Sequence, residues 1–348
     1  MPEDYGDWYT ELRLARLERR IKAVYAKAEK DVREDVRAYF ERFIQRDEQQ
    51  KKLLDAGEIT KKEYKLWRMA QIGRGERLEA LANRLAQRYT DANEEAAAYM
   101  NDDTPSIYAV NRNQIAYEIE VQAGEDVFHS DEMRTALGID FILWDEATVQ
   151  RLIKDDPDLM PFYPPKRAID RGIDLEFGRK QINSTILSSI LRGSSLKKIA
   201  DELQERIKTM NRNSALRAAR TAMTTAQNAG RQDGFIAAET LGIKVNKRWI
   251  ATKDFRTRHD HGAADGQIVP AEKPFIVGGY EMMFPGDQSF GAPGSQIYNC
   301  RCRMRTVEKP GIEAEPRMMR VRGADGRNIL VKEMTYTEWE AWVNERGG

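Results

Sequence analysis

Between residues 8 and 48 the apolar side chains Leu14, Leu17, Ile21, Val24, Ala28, Val32, Val36, Phe40 and Phe43 follow one another in steps of three or four. A strand would need strict alternation, so this spacing lines one face of a single long helix. A stripe of that length has to be covered, which commits the first part of the chain to long antiparallel helices. Gly57 marks a turn, and Thr60 with Glu63 has the spacing of a capping box for the next helix. Helical patterning resumes at Tyr64, Leu66 and Trp67, and again from Leu78 through Leu85 to Tyr99. Acidic and basic residues are interleaved throughout, as on solvated helix faces.

The texture changes further along. Residues 104–176 are mixed, with a short apolar run from Ile139 to Trp144 and breakers at Pro157, Pro161, Pro164 and Pro165. Two consecutive prolines cannot continue a helix, so a boundary is expected there. A second stripe follows at Ile182, Ile186, Leu187, Ile190 and Leu191, stopped by Gly193, and Ser194 or Ser195 caps a helix through Leu196, Ile199 and Leu203. Helix–Gly–Ser–helix is also how a helix-turn-helix begins, but the second helix is mixed in charge and lacks clustered base-reading residues. An αα-hairpin used for packing is the expectation. A third helix at 217–235 is rich in Ala.

Beyond Gly242, strand residues Val245, Trp249 and Ile250 appear, then a Gly- and Pro-rich stretch to about residue 300. GADGRN at 323–328 reads as a tight hairpin turn, and Thr337 with Glu340 as the cap of a short helix bearing Trp339 and Trp342. The expected fold class is α+β. It comprises a helical arm and mixed segment (1–165), a helical middle (166–240), a compact loop-rich module (241–309) and a tail (310–348).

Lys and Arg total 56, as do Asp and Glu, so no overall charge draws the chain to a polyanion. Residues 244–309 are locally basic, 11 against 7, or +4. The first residues lack the basic and apolar regions of a secretion signal, and nowhere do 18 apolar residues run together. No membrane anchor is expected. Two cysteines one residue apart are not a secreted disulfide framework, which suits a reducing cytoplasm.

The chain holds three His and two Cys, and four of these five lie between His259 and Cys302. Were both segments strands, His259 and His261 would share a face. Cys300, Cys302 and Met304 would do likewise, with Arg301, Arg303 and Arg305 turned the other way. Two such strands side by side offer the N and S ligands of tetrahedral zinc. The bland reading is two buried thiols and two surface histidines. Asp254, Arg256 and Arg258 read as a carboxylate–guanidinium network holding the loop. Asp254, Asp265 and the histidines are also the residues a hydrolase would use, yet no phosphate loop, nucleophile elbow or paired-carboxylate motif accompanies them.

The order of these motifs resembles the head-morphogenesis proteins of the phage Mu F-like family. First comes the helix motif at Arg220, Thr221, Thr224, Asn228 and Arg231, with Ala222 where members often have Glu. Next are Trp249, Asp254, Arg256, Arg258, His261, Asp265 and Gly266, then PGD at 285–287 and Asn299-Cys300-Arg301-Cys302. The resemblance spans about residues 170–306. It puts His261 at the recurring His position, so a metal would be held by His261, Cys300 and Cys302, with Asp254, Asp265 or His259 as the fourth ligand. Zinc in a structural role is the cofactor expected.

The resemblance further implies a non-enzymatic minor head protein of a tailed bacteriophage, made in the host cytoplasm and present in few copies inside the head near the portal. Its partners would be the portal and other capsid or scaffold proteins, with packaged DNA as a further one, in head assembly or DNA delivery. Two rivals are a metal-dependent nuclease or other hydrolase centred on His261, and a DNA-binding assembly factor. In the latter, Arg301, Arg303 and Arg305 meet phosphates or an acidic partner.

Overall fold

A computed structural model of the chain describes residues 4–72, 76–123, 212–240, 242–307, 318–322 and 328–332, with isolated positions at 182, 184, 185, 188, 198, 201–203, 205, 338 and 341. The run Ile139–Trp144, the Pro157–Pro165 breakers, Gly193, the Ser194/Ser195 cap, most of the GADGRN turn and the Thr337–Glu340 cap lie outside the described residues. The α+β expectation holds: helices dominate the first part, and small antiparallel strands follow in the last.

Two compact units can be distinguished, and each draws on the same two long helices. These are α1 (Tyr5–Asp55) and α3 (Glu76–Ala123), separated by the short α2 (Lys61–Ile72). In the unit built from Arg16–Met100 with part of the stretch before Arg217, α1 buries Leu17, Ile21, Tyr25, Ala28, Val32 and Val36. Facing them, α3 buries Leu81, Ala82, Leu85, Ala86, Tyr89, Ala92 and Ala96. Arg20 stacks on Tyr99, Tyr25 bonds to Asn93, and Arg88 reaches Asp35 at 3.3 Å. Rising numbers on α1 meet falling ones on α3, so the pair is antiparallel. The capping box forms as expected: Thr60 N donates to Glu63 Oε2 (2.8 Å) and Glu63 N to Thr60 Oγ1 (3.2 Å).

The other unit contains the start of α1, α3 from Asn101, and everything described from Ala218 onward. Helix α4 (Asn213–Thr240) leads into β1 (Asn246–Ile250), the one-turn α5 (His259–Ala263) and β2 (Ile268–Pro270). The hairpin β3 (Phe275–Val277) and β4 (Tyr280–Met282), the turn α6 (Gly294–Ile297) and β5 (Arg303–Thr306) complete it. A separate hairpin joins β6 (Met318–Arg322) to β7 (Asn328–Lys332), paired from Met318↔Lys332 to Arg322↔Asn328. The central sheet runs β2-β1-β5, all antiparallel, with Trp249 opposite Met304.

The core of this unit does not stop at residue 241. Ile115, Ala116 and Ile119 of α3 and Phe235 and Ala238 of α4 pack in one cluster with Trp249, Phe275, Val277, Ile297, Cys300, Cys302 and Met304. A loop-rich stretch short of apolar runs is thus completed by α4 directly before it and by α3, more than a hundred residues earlier.

Lys247, fully buried on β1, donates to Gln232 Oε1 and to the Met283 carbonyl, both at 2.8 Å. Burial pushes its ammonium down from 10.5 to about 7, with Asp287 and Glu272 pulling the other way. Between those values the unfolded chain keeps a proton that the folded chain has released, so stability rises with pH from about 7 towards 10.5. The denaturation midpoint is expected to climb between pH 7 and pH 9 in the wild type. That part of the slope should vanish in Lys247→Met, and equal slopes would dismiss this account.

Candidate metal centre

His261, Cys300 and Cys302 converge, all buried, with their ligand atoms within 4.8 Å of one another. His261 Nδ1 lies 3.4 Å from Cys302 Sγ and 3.6 Å from Cys300 Sγ. Zn–N and Zn–S bonds of about 2.0 and 2.3 Å at tetrahedral angles give N···S edges of about 3.5 Å. Both N···S edges are thus of the length an ion would need. Among the described residues, no carboxylate or further His joins this group.

The ring is oriented from behind. His261 Nε2 lies 3.0 Å from Gln296 Oε1, and the Gln296 amide nitrogen donates to Asp260 Oδ2 at 2.7 Å. A carboxylate only accepts, so the amide must present its oxygen to the imidazole, and Nε2 carries the proton. The Nδ1 lone pair therefore faces the sulfurs, the arrangement ligating histidines need. Gly278 (φ 58°) leaves room for this relay, because a Cβ there would come within 2.5 Å of Asp260 Oδ2 and 2.7 Å of Gln296 Nε2. Trp249 closes the apolar side, edge-on to both His261 and Phe275.

The sulfurs are unequal. The Cys302 thiol's hydrogen bond, opposed by burial and aided by His261, holds Cys300 well below the ordinary thiol range. Donating that hydrogen bond, together with burial and the neighbouring charge, drives Cys302 well above it. The pair thus readily carries one negative charge, and a cation would be needed to hold two.

One local expectation is overturned. Residues 259–263 form a helical turn rather than a strand, and two residues along a helix turn through about 200°. His259 therefore points outward, its side chain 97% exposed, while His261 points in. The cysteine row behaves as expected: Cys300, Cys302, Met304 and Thr306 are buried, and the arginines between them are not.

Other residues singled out by sequence take defined places. Asp254 binds Arg301 through both oxygens and pairs with Arg256 at 3.6 Å, whereas Arg258 leaves that network and donates to the Tyr298 carbonyl. Asp265 accepts from Ala251 N and pairs with buried Lys253. Gly266 N donates to the Trp249 carbonyl, and Asn299 takes a left-handed conformation (φ 55°) just before the cysteines. Arg303 pairs with Asp7 at 2.7 Å, and Arg305 lies near Asp4 and Asp7. The PGD turn is pinned by Asp287, which accepts from Met283 N and Ser289 N.

The α4 motif is a row of side chains running along the outer edge of β5 and the residues before it. Thr221 Oγ1 accepts from Asn299 N, and Thr224 Oγ1 donates to the Cys300 carbonyl. Asn228 donates to the Cys302 carbonyl and accepts from Met304 N, and Arg231 donates to the Met304 carbonyl. Steps of three, four and three place all four on one helix face. Sequence reasoning missed Gln296 and Asp260, which carry no spacing signal, and Asp4 and Asp7, which lie more than 200 residues from their partners.

Residues 180–305 match the family model described as Phage Mu protein F like protein. The chain is 25% identical over 349 residues to Minor head protein GP7 of Bacillus phage SPP1, covering 98% of both chains. It is also 31% identical over 164 residues to NAD(+)--arginine ADP-ribosyltransferase EFV of Enterococcus faecalis. That second match spans 47% of this chain and only 31% of the relative. No solved structure matches.

Proposed function

From a chain that belongs among the phage minor head proteins, through its Mu F-like stretch at 180–305, we infer a structural role at the portal or inner face of the head, in assembly or DNA delivery. The observation that carries this reading is the end-to-end similarity to a phage minor head protein, in which the whole length and not the shared stretch alone is matched. The long helices of the first hundred residues serve as contact surface for portal or capsid partners. Few copies are expected in purified procapsids, and deletion of residues 16–100 is expected to reduce incorporation. Procapsids wholly free of the protein, from cells that make it normally, would sink the reading.

The His/Cys centre belongs to this reading as a structural zinc site. His261, Cys300 and Cys302 supply three ligands, and zinc there ties the loop after β1 to the approach to β5. Its chemistry would be cross-linking, with the buried thiolates neutralised by the ion. Asp254 and Asp265, the carboxylates a hydrolase would use as a base, are engaged by Arg301 and Lys253. Elemental analysis of the purified chain is expected to give one zinc per chain and incubation with nucleic acid no cleavage. Hydrolysis abolished by His261→Ala in a folded protein would favour the hydrolase instead.

A further inference from the structure

The first turn of α1 is docked on an unusual concentration of positive charge. Arg231, fully buried, donates to both oxygens of Asp4 (2.9 and 3.0 Å) and to Asp7 Oδ1 (2.9 Å). Arg303 adds its 2.7 Å contact to Asp7, and Arg305 sits 3.6 Å from Asp4 and 3.8 Å from Asp7. Gln227 donates to Asp7 at 2.6 Å. Three guanidiniums from two elements, α4 and β5, thus converge on two short carboxylates, with Glu118 the other acid near them.

The fit leaves donors over. Arg303 Nε and Arg305 Nε are buried without a hydrogen-bond acceptor, although Arg303 Nη1 reaches Asp7 Oδ2 at 2.7 Å and Arg305 Nε lies 3.6 Å from Asp4 Oδ2. Two carboxylates present flat oxygen pairs, whereas an oxyanion with three or four oxygens spread over a tetrahedron can meet three planar forks together. The segment that fills the cup is also shaped to lie close. Gly6 sits where a Cβ would come within 2.6 Å of Asn111 Oδ1 and 3.3 Å of Arg231 Nη2. Asp4 caps the helix by accepting from Asp7 N at 2.8 Å, so release of the capping turn and release of the cup are one event.

We propose that Arg231, Arg303 and Arg305 form a phosphate-binding cup, held closed by the chain's own Asp4–Asp7 turn as an internal anion. Displacing that turn opens the cup to a phosphate oxyanion, either free phosphate or the backbone of a nucleic acid. Arg231, fully buried, cannot stay bare, so the strap leaves only when another anion takes its place.

The test uses the full chain carrying Asp4→Asn with Asp7→Asn, which keeps side-chain size and removes the competing charge. Inorganic phosphate titrated calorimetrically should bind this variant at least tenfold more tightly than the wild type. Adding Arg303→Gln and Arg305→Gln should abolish the gain. The single Asp7→Asn variant, which retains the helix cap, carries the same comparison if the double variant does not fold. A labelled oligonucleotide titrated over a range of salt distinguishes the sources. Salt-sensitive binding that appears with the phosphate gain assigns the cup to nucleic-acid backbone, and a phosphate gain without it assigns free phosphate. Phosphate affinity unchanged from the wild type, or a gain that survives loss of Arg303 and Arg305, overturns the proposal.

Discussion

If the centre takes up zinc as proposed, Cys300→Ser combined with Cys302→Ser is expected to abolish that binding and lower the melting temperature by about 10 °C, since several kcal/mol of binding energy would otherwise appear as folding energy. A strong chelator should bring the wild type down by a similar amount and leave the double variant where it is. That pairing separates a metal centre from a merely packed cluster. Two buried thiols lost from an apolar core would also destabilise the unit, but the wild type would then ignore the chelator. The damage should concentrate between His259 and Cys302, because Ile115, Phe235 and Trp249 continue to hold the rest of the cluster. Gln296→Ala should weaken zinc binding without touching a ligand, since Gln296 fixes the proton on the far side of the His261 ring. Chelator-insensitive wild type together with zinc-free protein would end the metal reading.

Arg231→Met should be of comparable severity, about 3–5 kcal/mol, because it strands Asp4 and Asp7 in the interior with one guanidinium fewer. Its pH dependence should reverse that of the parent. Burial alone would raise Asp4, but Arg231, Arg305 and Arg303 outweigh it and hold its carboxyl at about 2 against the usual 3.8. A folded value below the unfolded one stabilises the native chain above about pH 4, and that stability is lost as pH falls from 3.8 towards 2. Without Arg231 the buried Asp4 carboxylate is pushed towards its protonated form, so the variant should gain stability as pH is lowered from 7 to 5. Denaturation midpoints at both pH values read the contrast, and parallel slopes would show that Arg231 is not what holds Asp4 charged.

The parts of this molecule legible in its sequence are those governed by short-range periodicity. Leu17, Ile21, Ala28, Val32 and Val36 are buried where their spacing placed them, and Thr60 with Glu63 forms its box. The alternation from Cys300 to Thr306 also survives, since a period of two is visible over seven residues. His259 and His261 were misread because a single helical turn is too short to display its own period, and His-Asp-His imitates strand alternation. No local pattern links Asp4 to Arg231, 227 positions apart. Long separation in sequence also hid Ile115 and Ile119, whose helix completes the core around Trp249.

The row of side chains that α4 lays along β5 has a consequence for how the protein behaves in a crowd. A sheet edge with open amides and carbonyls invites another chain to add a strand, and copies gathered at one place are the most exposed to that hazard. Here Thr221, Thr224, Asn228 and Arg231 occupy those groups from residue 299 to 304. The opposite edge, β2, is three residues long and ends in Pro270. Neither side offers a template of useful length, so damage to Asn228 would be felt as precipitation at high concentration before it is felt as a lower melting point.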